Sequence, residues 1–225
     1  MATTSNWDIV EFSENPGPRC PCVLLLDISG SMEGAPIAAL NQGLRAFKNE
    51  LVRDSEASRT VEVAVITFED KVNVEQDFVT ADQFEPVDFT AGGHTTMGDA
   101  ILQALDLIET RKQQYRANGI DYYRPWIFMI TDGEPDYKFE TVENVQRAAE
   151  RIHQEEGRGK VVFHAVAVEG ANVKRLAELA VRPPIPLVGL DFEQMFLWLS
   201  KSIAEVVKGQ GEQQIALPPA GTQTP

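Results

Sequence analysis

The chain contains no run of about twenty consecutive apolar residues, so its sequence offers no membrane-spanning helix. Met1 to Asp8 have neither the basic stretch nor the apolar core of a secretory leader, and the expected address is cytoplasmic. Cysteine is scarce. Cys20 and Cys22 are too few for a disulfide framework and two soft ligands short of a zinc site. Cys22 is expected to pack at the start of a strand with Cys20 facing outward, a thiol redox role being the alternative. Positive charge is also short: 20 Lys and Arg stand against 34 Asp and Glu, a formal net charge of −14. That balance argues against a nucleic-acid backbone or an anionic membrane as partner. The chain also lacks Gly-x-x-x-x-Gly-Lys, Gly-x-Gly-x-x-Gly after a strand, and Gly-x-Ser-x-Gly. The nucleotide-binding and serine-hydrolase signatures are therefore missing.

What remains is an ordinary globular composition, 43% hydrophobic over 225 residues, enough for one α/β domain with a substantial core. Residues 1–19 form a polar lead-in ending in Asn15-Pro16-Gly17-Pro18, with a short edge strand expected at Trp7–Phe12. Val23-Leu24-Leu25-Leu26 reads as a buried parallel strand. Ile37, Leu40, Leu44, Phe47 and Leu51 recur at helical steps, predicting a helix over 36–53. Strands follow at 61–68 and 72–78, joined by a Glu69-Asp70-Lys71 turn, the second being the expected antiparallel edge. Helices are expected at about 97–117, 140–156, 172–180 and 191–207, with strands at 126–130 and 161–168. Strands alternating with helices imply a mainly parallel sheet covered on both faces. The domain is expected to span 20–207, and residues 208–225, rich in Gly, Gln, Pro and Thr, to be disordered.

Three polar clusters punctuate this pattern. Asp27-Ile28-Ser29-Gly30-Ser31-Met32 places a carboxylate and two hydroxyls, two residues apart, where the chain leaves its first strand. Thr90-Ala91-Gly92-Gly93-His94-Thr95-Thr96 leads into an amphipathic helix, and Thr131-Asp132-Gly133-Glu134-Pro135-Asp136 follows another buried strand. Hard oxygen donors on a tight turn suit a small divalent cation such as Mg²⁺. The plainer use of the first cluster is a strand-to-helix turn in which the serines cap the next helix. In open α/β sheets, ligands bind outside the carboxyl ends of the strands.

Together the clusters resemble the von Willebrand factor A (VWA) domain family and its metal-ion-dependent adhesion site (MIDAS). That pattern is Asp-x-Ser-x-Ser, a Thr in a glycine-rich loop, and Asp-Gly after the fourth strand. The matching residues are Asp27, Ser29, Ser31, Thr95 and Asp132; Thr95 is preferred to Thr96 because it lies five residues before Ala100. The resemblance implies a doubly wound, Rossmann-like three-layer sandwich whose mostly parallel sheet has one antiparallel edge strand. It also implies a non-enzymatic Mg²⁺ site, with Mn²⁺ or Ca²⁺ as substitutes, holding one position open for an Asp or Glu of a partner protein. Within the family, Leu25-Leu26-Asp27 through Met32 and Thr131 through Asp136 are most similar to the bacterial tellurite-resistance-associated TerY-type proteins. That similarity implies a cytoplasmic stress-response complex with a kinase and a phosphatase of the same operon. In related domains, movement of the loop bearing the Thr95 equivalent is coupled to the last helix, and the same linkage is expected here.

His94 is read as a partner-contacting or solvent-facing side chain, and His164 as a core histidine. Glu134 and Asp136 either enlarge an acidic rim or serve the turn around Pro135. Trp126 and Trp198 are expected in the core, while Trp7 anchors either the N-terminal strand or a partner. Two rival functions stand beside adhesion. A Mg²⁺-dependent phosphatase of the haloacid-dehalogenase type also follows an apolar strand with Asp, but has Asp-x-Asp where this chain has Ser29. The other rival is an interaction module whose metal site is vestigial.

Overall fold

The computed structural model describes residues 12, 14–132, 134–187, 189 and 191–209. Within them, one sheet is built from β1 (Cys20–Asp27), β2 (Val61–Phe68), β3 (Val72–Thr80), β4 (Trp126–Thr131), β5 (Val162–Ala167) and β6 (Ile185–Pro186). Its order is β3-β2-β1-β4-β5-β6, with β3 alone antiparallel to its neighbour. The helices are α1 (Ala35–Arg53), α2 (Ser55–Thr60), α3 (Met97–Asn118), α4 (Val142–Gly157), α5 (Val173–Leu179) and α6 (Phe192–Val207).

Strands β1, β2 and β4 are buried along their whole length, which is why they read as continuous apolar runs. Their alternate side chains feed two separate cores. Leu24, Leu26, Phe128 and Ile130 meet Leu44 and Phe47 of α1 and Phe192, Phe196 and Leu199 of α6. On the other face Leu25, Ile66, Ile127 and Met129 meet Ile101 and Leu105 of α3 and Val145 and Ile152 of α4. The result is the three-layer, doubly wound α/β sandwich with one antiparallel edge strand that the sequence implied. Among the described residues, no helix is long and apolar enough to cross a membrane.

Several expectations need correcting. Helix α2 and the two-residue strand β6 were not foreseen. Asp54 ends α1 and caps α2 by accepting from Glu56 N–H (3.0 Å) and Ala57 N–H (3.1 Å), so one apparent helix terminus begins a second helix. Phe12, the one described residue of the expected Trp7–Phe12 strand, is helical; Trp7 and the tail from residue 210 lie outside the described residues. Cys20 does not face outward. Two residues apart on a strand, Cys20 and Cys22 point to the same face, and both are fully buried in the core beneath α1 and α6. Burial pushes the Cys20 thiol up to about 12 and the Cys22 thiol well above its usual range, leaving neither as a reactive thiolate.

His164 is the core residue expected, set among Trp126, Phe128 and Trp198 with ring centroids 5.4, 6.0 and 6.0 Å away. Burial, with Arg182 nearby, lowers its pKa from 6.5 to about 4. The unfolded chain therefore binds a proton between these values and the folded protein does not. The stabilisation that His164 gives is whole above pH 6.5 and is lost as pH falls toward 4, on the order of 3 kcal/mol in all. His164→Phe is expected to remove this slope from urea denaturation measured between pH 7 and pH 4. Asp27 shifts in the opposite sense (below), so wild type and variant are compared at each pH.

Candidate metal centre

The parallel register Leu26↔Ile130 sets Asp27, the last residue of β1, beside Thr131, the last residue of β4. Asp132 follows immediately. The β1–β4 boundary is where the strand order reverses, since β1 leads to β2 on one side while β4 lies on the other. Side chains ending these two strands therefore converge on the crevice that open α/β sheets use for ligands.

The contacts there link the candidate donors to one another. Asp27 Oδ1 accepts from Ser29 N–H at 2.9 Å, and Asp27 Oδ2 from the Thr131 hydroxyl at 2.5 Å. The Ser29 and Ser31 hydroxyl oxygens lie 3.1 Å apart, and the Ser31 hydroxyl donates to Asp132 Oδ1 at 2.8 Å. A short 3₁₀ turn over Gly30–Met32 curls the loop; neither Ser29 nor its neighbours cap it through a side chain, so the serine hydroxyls remain turned toward the crevice. Thr95 lines the same groove, of about 610 Å³, with Ser29 and Ser31. It is 6% exposed, and among the described residues its hydroxyl has no hydrogen-bond partner.

The Thr95 loop is strapped from both sides. Gly92 N–H donates to Ile28 O (2.9 Å), Gly30 N–H to Gly93 O (3.1 Å), and His94 N–H to Asp70 Oδ1 (2.8 Å). Thr96 ties to Glu69 O through its N–H (3.1 Å) and hydroxyl (2.9 Å). From the β4–α4 loop, Asp136 N–H donates to Thr95 O at 3.0 Å, and Glu140 Oε1 accepts from Asp99 N–H at 2.8 Å in the first turn of α3. The His94 ring stacks on Phe139, centroids 3.7 Å apart, with Nδ1 3.0 Å from Asp136 Oδ2.

Of the two glycines, Gly93 serves close approach, whereas a Cβ at Gly92 would meet nothing within 4 Å. Gly93 has φ +72°, and a Cβ there would fall 2.1 Å from Glu69 Oε2 and 3.0 Å from Asp70 Oδ1. Gly93→Ala combines left-handed strain of about 1–2 kcal/mol with displacement of the Glu69 and Asp70 side-chain ends, the second of which holds His94 N–H. It is expected to push the Thr95 loop away and lower divalent-cation affinity at least about tenfold, read by calorimetric titration, as loss of an orienting contact does at metal sites.

The two predicted uses of Glu134 and Asp136 both occur. Asp136 builds the turn, its Oδ1 accepting from Lys138 N–H and its carbonyl from Phe139 and Glu140 N–H, and it also holds His94. Glu134 is exposed on the groove wall, where Asn172 donates to it. Sequence reasoning missed Thr131 and Glu140 as parts of this arrangement. The partner of Thr131 is visible only once β1 and β4 are known to be neighbours, and nothing local marks Glu140.

The donors suit a hard cation. Among the described residues, neither Asp27 nor Asp132 pairs with Lys or Arg, and no group of three or more His, Cys, Asp or Glu gathers as a metal site. Burial pushes the Asp27 carboxyl from 3.8 up to about 6, outweighing its hydrogen bonds from Ser29 and Thr131, and the charge of Asp132 adds to the rise. Burial raises Asp132 as well. A raised carboxyl pKa means that ionised Asp27 destabilises the cation-free fold as pH rises through about 6. Two desolvated carboxylates with adjacent hydroxyls and no protein counter-charge fit an oxygen-seeking divalent ion.

A parallel-sheet α/β sandwich with hydroxyls and carboxylates gathered at its switch point defines a class of ligand-binding domain, and the comparisons give its family. The model of the von Willebrand factor type A domain matches residues 22–195, and the chain belongs to that family. Comparison with curated proteins returned no match. Among solved structures, the chain is similar to a von Willebrand factor type A protein from Catenulispora acidiphila, with 17% identity, TM-score 0.63, and coverage of 83% of this chain and 43% of that one. It is also similar to the pilus adhesin SpaC from Lactobacillus rhamnosus GG, with 13% identity, TM-score 0.65, and coverage of 85% and 30%. The vWF domain of the type V pili tip protein Mfa5 from Porphyromonas gingivalis is a third, with 10% identity, TM-score 0.59, and coverage of 83% and 97%. The chain thus spans less than half of the first two proteins, and at these identities the likeness is one of fold.

Proposed function

We propose that this domain is a non-enzymatic interaction module that binds a partner protein's Asp or Glu through a divalent cation, Mg²⁺ in the cell. Ser29, Ser31 and Thr95 would offer neutral hydroxyl oxygens; Asp27 and Asp132 would supply the negative charge. When bound, the ion contributes an electrophilic position to which a carboxylate gains a strong bond. Neutral direct donors leave its charge incompletely quenched, which favours an anionic partner. The observation that carries this reading is the linked set running from Asp27, through the Ser29 N–H and the Ser29 and Ser31 hydroxyls, to Asp132, with Thr95 lining the same groove and its hydroxyl without a hydrogen-bond partner among the described residues. SpaC, an adhesin by its description, lends the interaction role an analogy.

On the closer likeness to TerY-type proteins, we place the module in a cytoplasmic bacterial stress-response complex, with tellurite resistance as its setting and a kinase and phosphatase as neighbours. A phosphatase is the less favoured function, since Ser29 stands where a general acid Asp would be needed and its hydroxyl faces that of Ser31. Calorimetric titration of the protein with Mg²⁺ and Mn²⁺ tests the reading. Saturable one-site binding is expected, and no binding at millimolar ion would mean a vestigial site and a metal-independent interaction surface.

A further inference from the structure

The groove's margins carry more negative charge than an ion at its floor would neutralise. Glu134 and Asp136 line it directly. The Glu69 and Asp70 carboxylates lie beside the groove residue Gly93, and Glu33 is exposed two residues beyond Ser31. Against these stand Lys138 on the groove wall and Lys71 in the Glu69–Lys71 turn; Arg175, nearby on α5, is engaged by Glu178 and by Tyr137. A divalent cation would offset Asp27 and Asp132, leaving the margin net acidic on a chain whose formal charge is already −14. An acidic partner surface would be repelled by this face, yet the reading above requires one carboxylate to reach its centre.

A second feature lies on the same margin. Tyr137 and Phe139 are 45% and 49% exposed, an aromatic pair on the β4–α4 loop, and Phe139 backs the His94 ring. The Arg175 guanidinium already lies 5.8 Å from the Tyr137 ring centroid and donates to its hydroxyl, which leaves the exposed part of Phe139 as the aromatic surface that, within an acidic rim, suits the cationic heads and apolar stems of Lys and Arg. Thr95, nearly buried, lines the groove with its hydroxyl unpartnered among the described residues, and marks where the central contact is to be made.

We infer that the segment this domain recognises carries a single Asp or Glu flanked by Lys or Arg: the acid seeks the metal, and the basic flanks meet the acidic, aromatic margin. This inference rests on the metal-bridged reading and adds to it the chemistry of the partner. Charge complementarity of this kind acts mainly on association rate and on rejection of wrong partners.

The test is a set of four immobilised synthetic peptides whose central residue is Asp or Asn and whose flanks are Lys or Glu. Binding of the full-length protein is measured by biosensor in Mg²⁺ and in EDTA, at low and high salt. The Lys-flanked Asp peptide is expected to bind at least about tenfold tighter than the Glu-flanked one at low salt, with the gap narrowing at high salt. The Glu33→Lys/Glu134→Lys double variant, which leaves the proposed ligands untouched, should shrink or reverse that preference. Equal or tighter binding of the Glu-flanked Asp peptide, with the Asn peptides and EDTA abolishing binding, would overturn this inference while sparing metal bridging. If the Asn peptides bind as well as the Asp peptides, or EDTA changes nothing, metal bridging itself fails and the inference with it. Failure of all four peptides to bind overturns both.

Discussion

Asp27→Ala is expected to weaken divalent-cation binding, and every interaction that depends on it, by about two orders of magnitude while leaving the fold standing. Asp27 is the junction of the site. It ends β1, orients Ser29 through that residue's N–H, and accepts the Thr131 hydroxyl across the strand pair. Its removal takes away one of only two carboxylates and the anchor that shapes the serine loop. The expected loss of Mg²⁺ or Mn²⁺ affinity is about 100-fold or more, the upper end of what losing a ligand-orienting group does. Stability without the ion should barely fall. At pH 7 the native carboxylate is ionised above a pKa raised to about 6, so its charge opposes folding, and deleting it offsets the hydrogen bonds lost. Thermal melts with and without Mg²⁺ check both halves. Wild type should melt higher with Mg²⁺ and the variant should not respond. A variant that still gains stability from Mg²⁺ would move the site elsewhere.

Glu62→Ala should produce the largest loss of stability of any single change outside the site. Glu62 is fully buried near the start of β2 and engages three partners. Arg19 Nε reaches Oε1 at 2.8 Å; Arg111 reaches Oε2 at 2.8 Å and Oε1 at 2.9 Å; the Tyr115 hydroxyl donates to Oε2. Arg19 is itself fully buried and also donates to the carbonyls of Asn15 and Gly17, and Phe12 lies 4.9 Å from the Arg111 guanidinium. Without Glu62, the fully buried Arg19 loses the carboxylate that faces it and Arg111 loses a bidentate partner, and breaking a buried pair of this kind costs about 3–5 kcal/mol. Much of a single domain's whole stability is of that size. Glu62→Gln keeps part of the hydrogen bonding and should lose less. Urea denaturation gives the difference; a change under about 1 kcal/mol would contradict the role assigned to this cluster. Because β1 and β2 begin here and end at the metal groove, folded Glu62→Gln protein should bind the ion normally.

The contrast between these two residues shows what the sequence made legible. Asp27, Ser29, Ser31, Thr95 and Asp132 are nameable from the sequence because their motifs are short and ordered, two of them set directly after apolar strands and the third just before a helix. The layered fold was legible for a related reason: buried parallel strands leave continuous apolar runs, and α1, α4 and α6 carry regular apolar stripes. Glu62 left a faint local signal, a lone acid in Val61-Glu62-Val63-Ala64-Val65, but its partners lie 43, 49 and 53 residues away. Thr131 and Glu140 depend likewise on strand order and loop packing, which no local pattern encodes. Cys20 departs from its expectation because the start of β1 is not the edge of the core. Here Arg19 continues the buried region past the strand, so Cys20 is covered.

The most direct test of the whole account is a crystal soaked in Mn²⁺ and measured for anomalous scattering. The predicted result is a single strong peak between the Ser29 and Ser31 hydroxyls, within coordination reach of Thr95 and close to Asp132. A structure with the peak elsewhere, or with none at saturating Mn²⁺ while Ser31 keeps its hydrogen bond to Asp132, would contradict it.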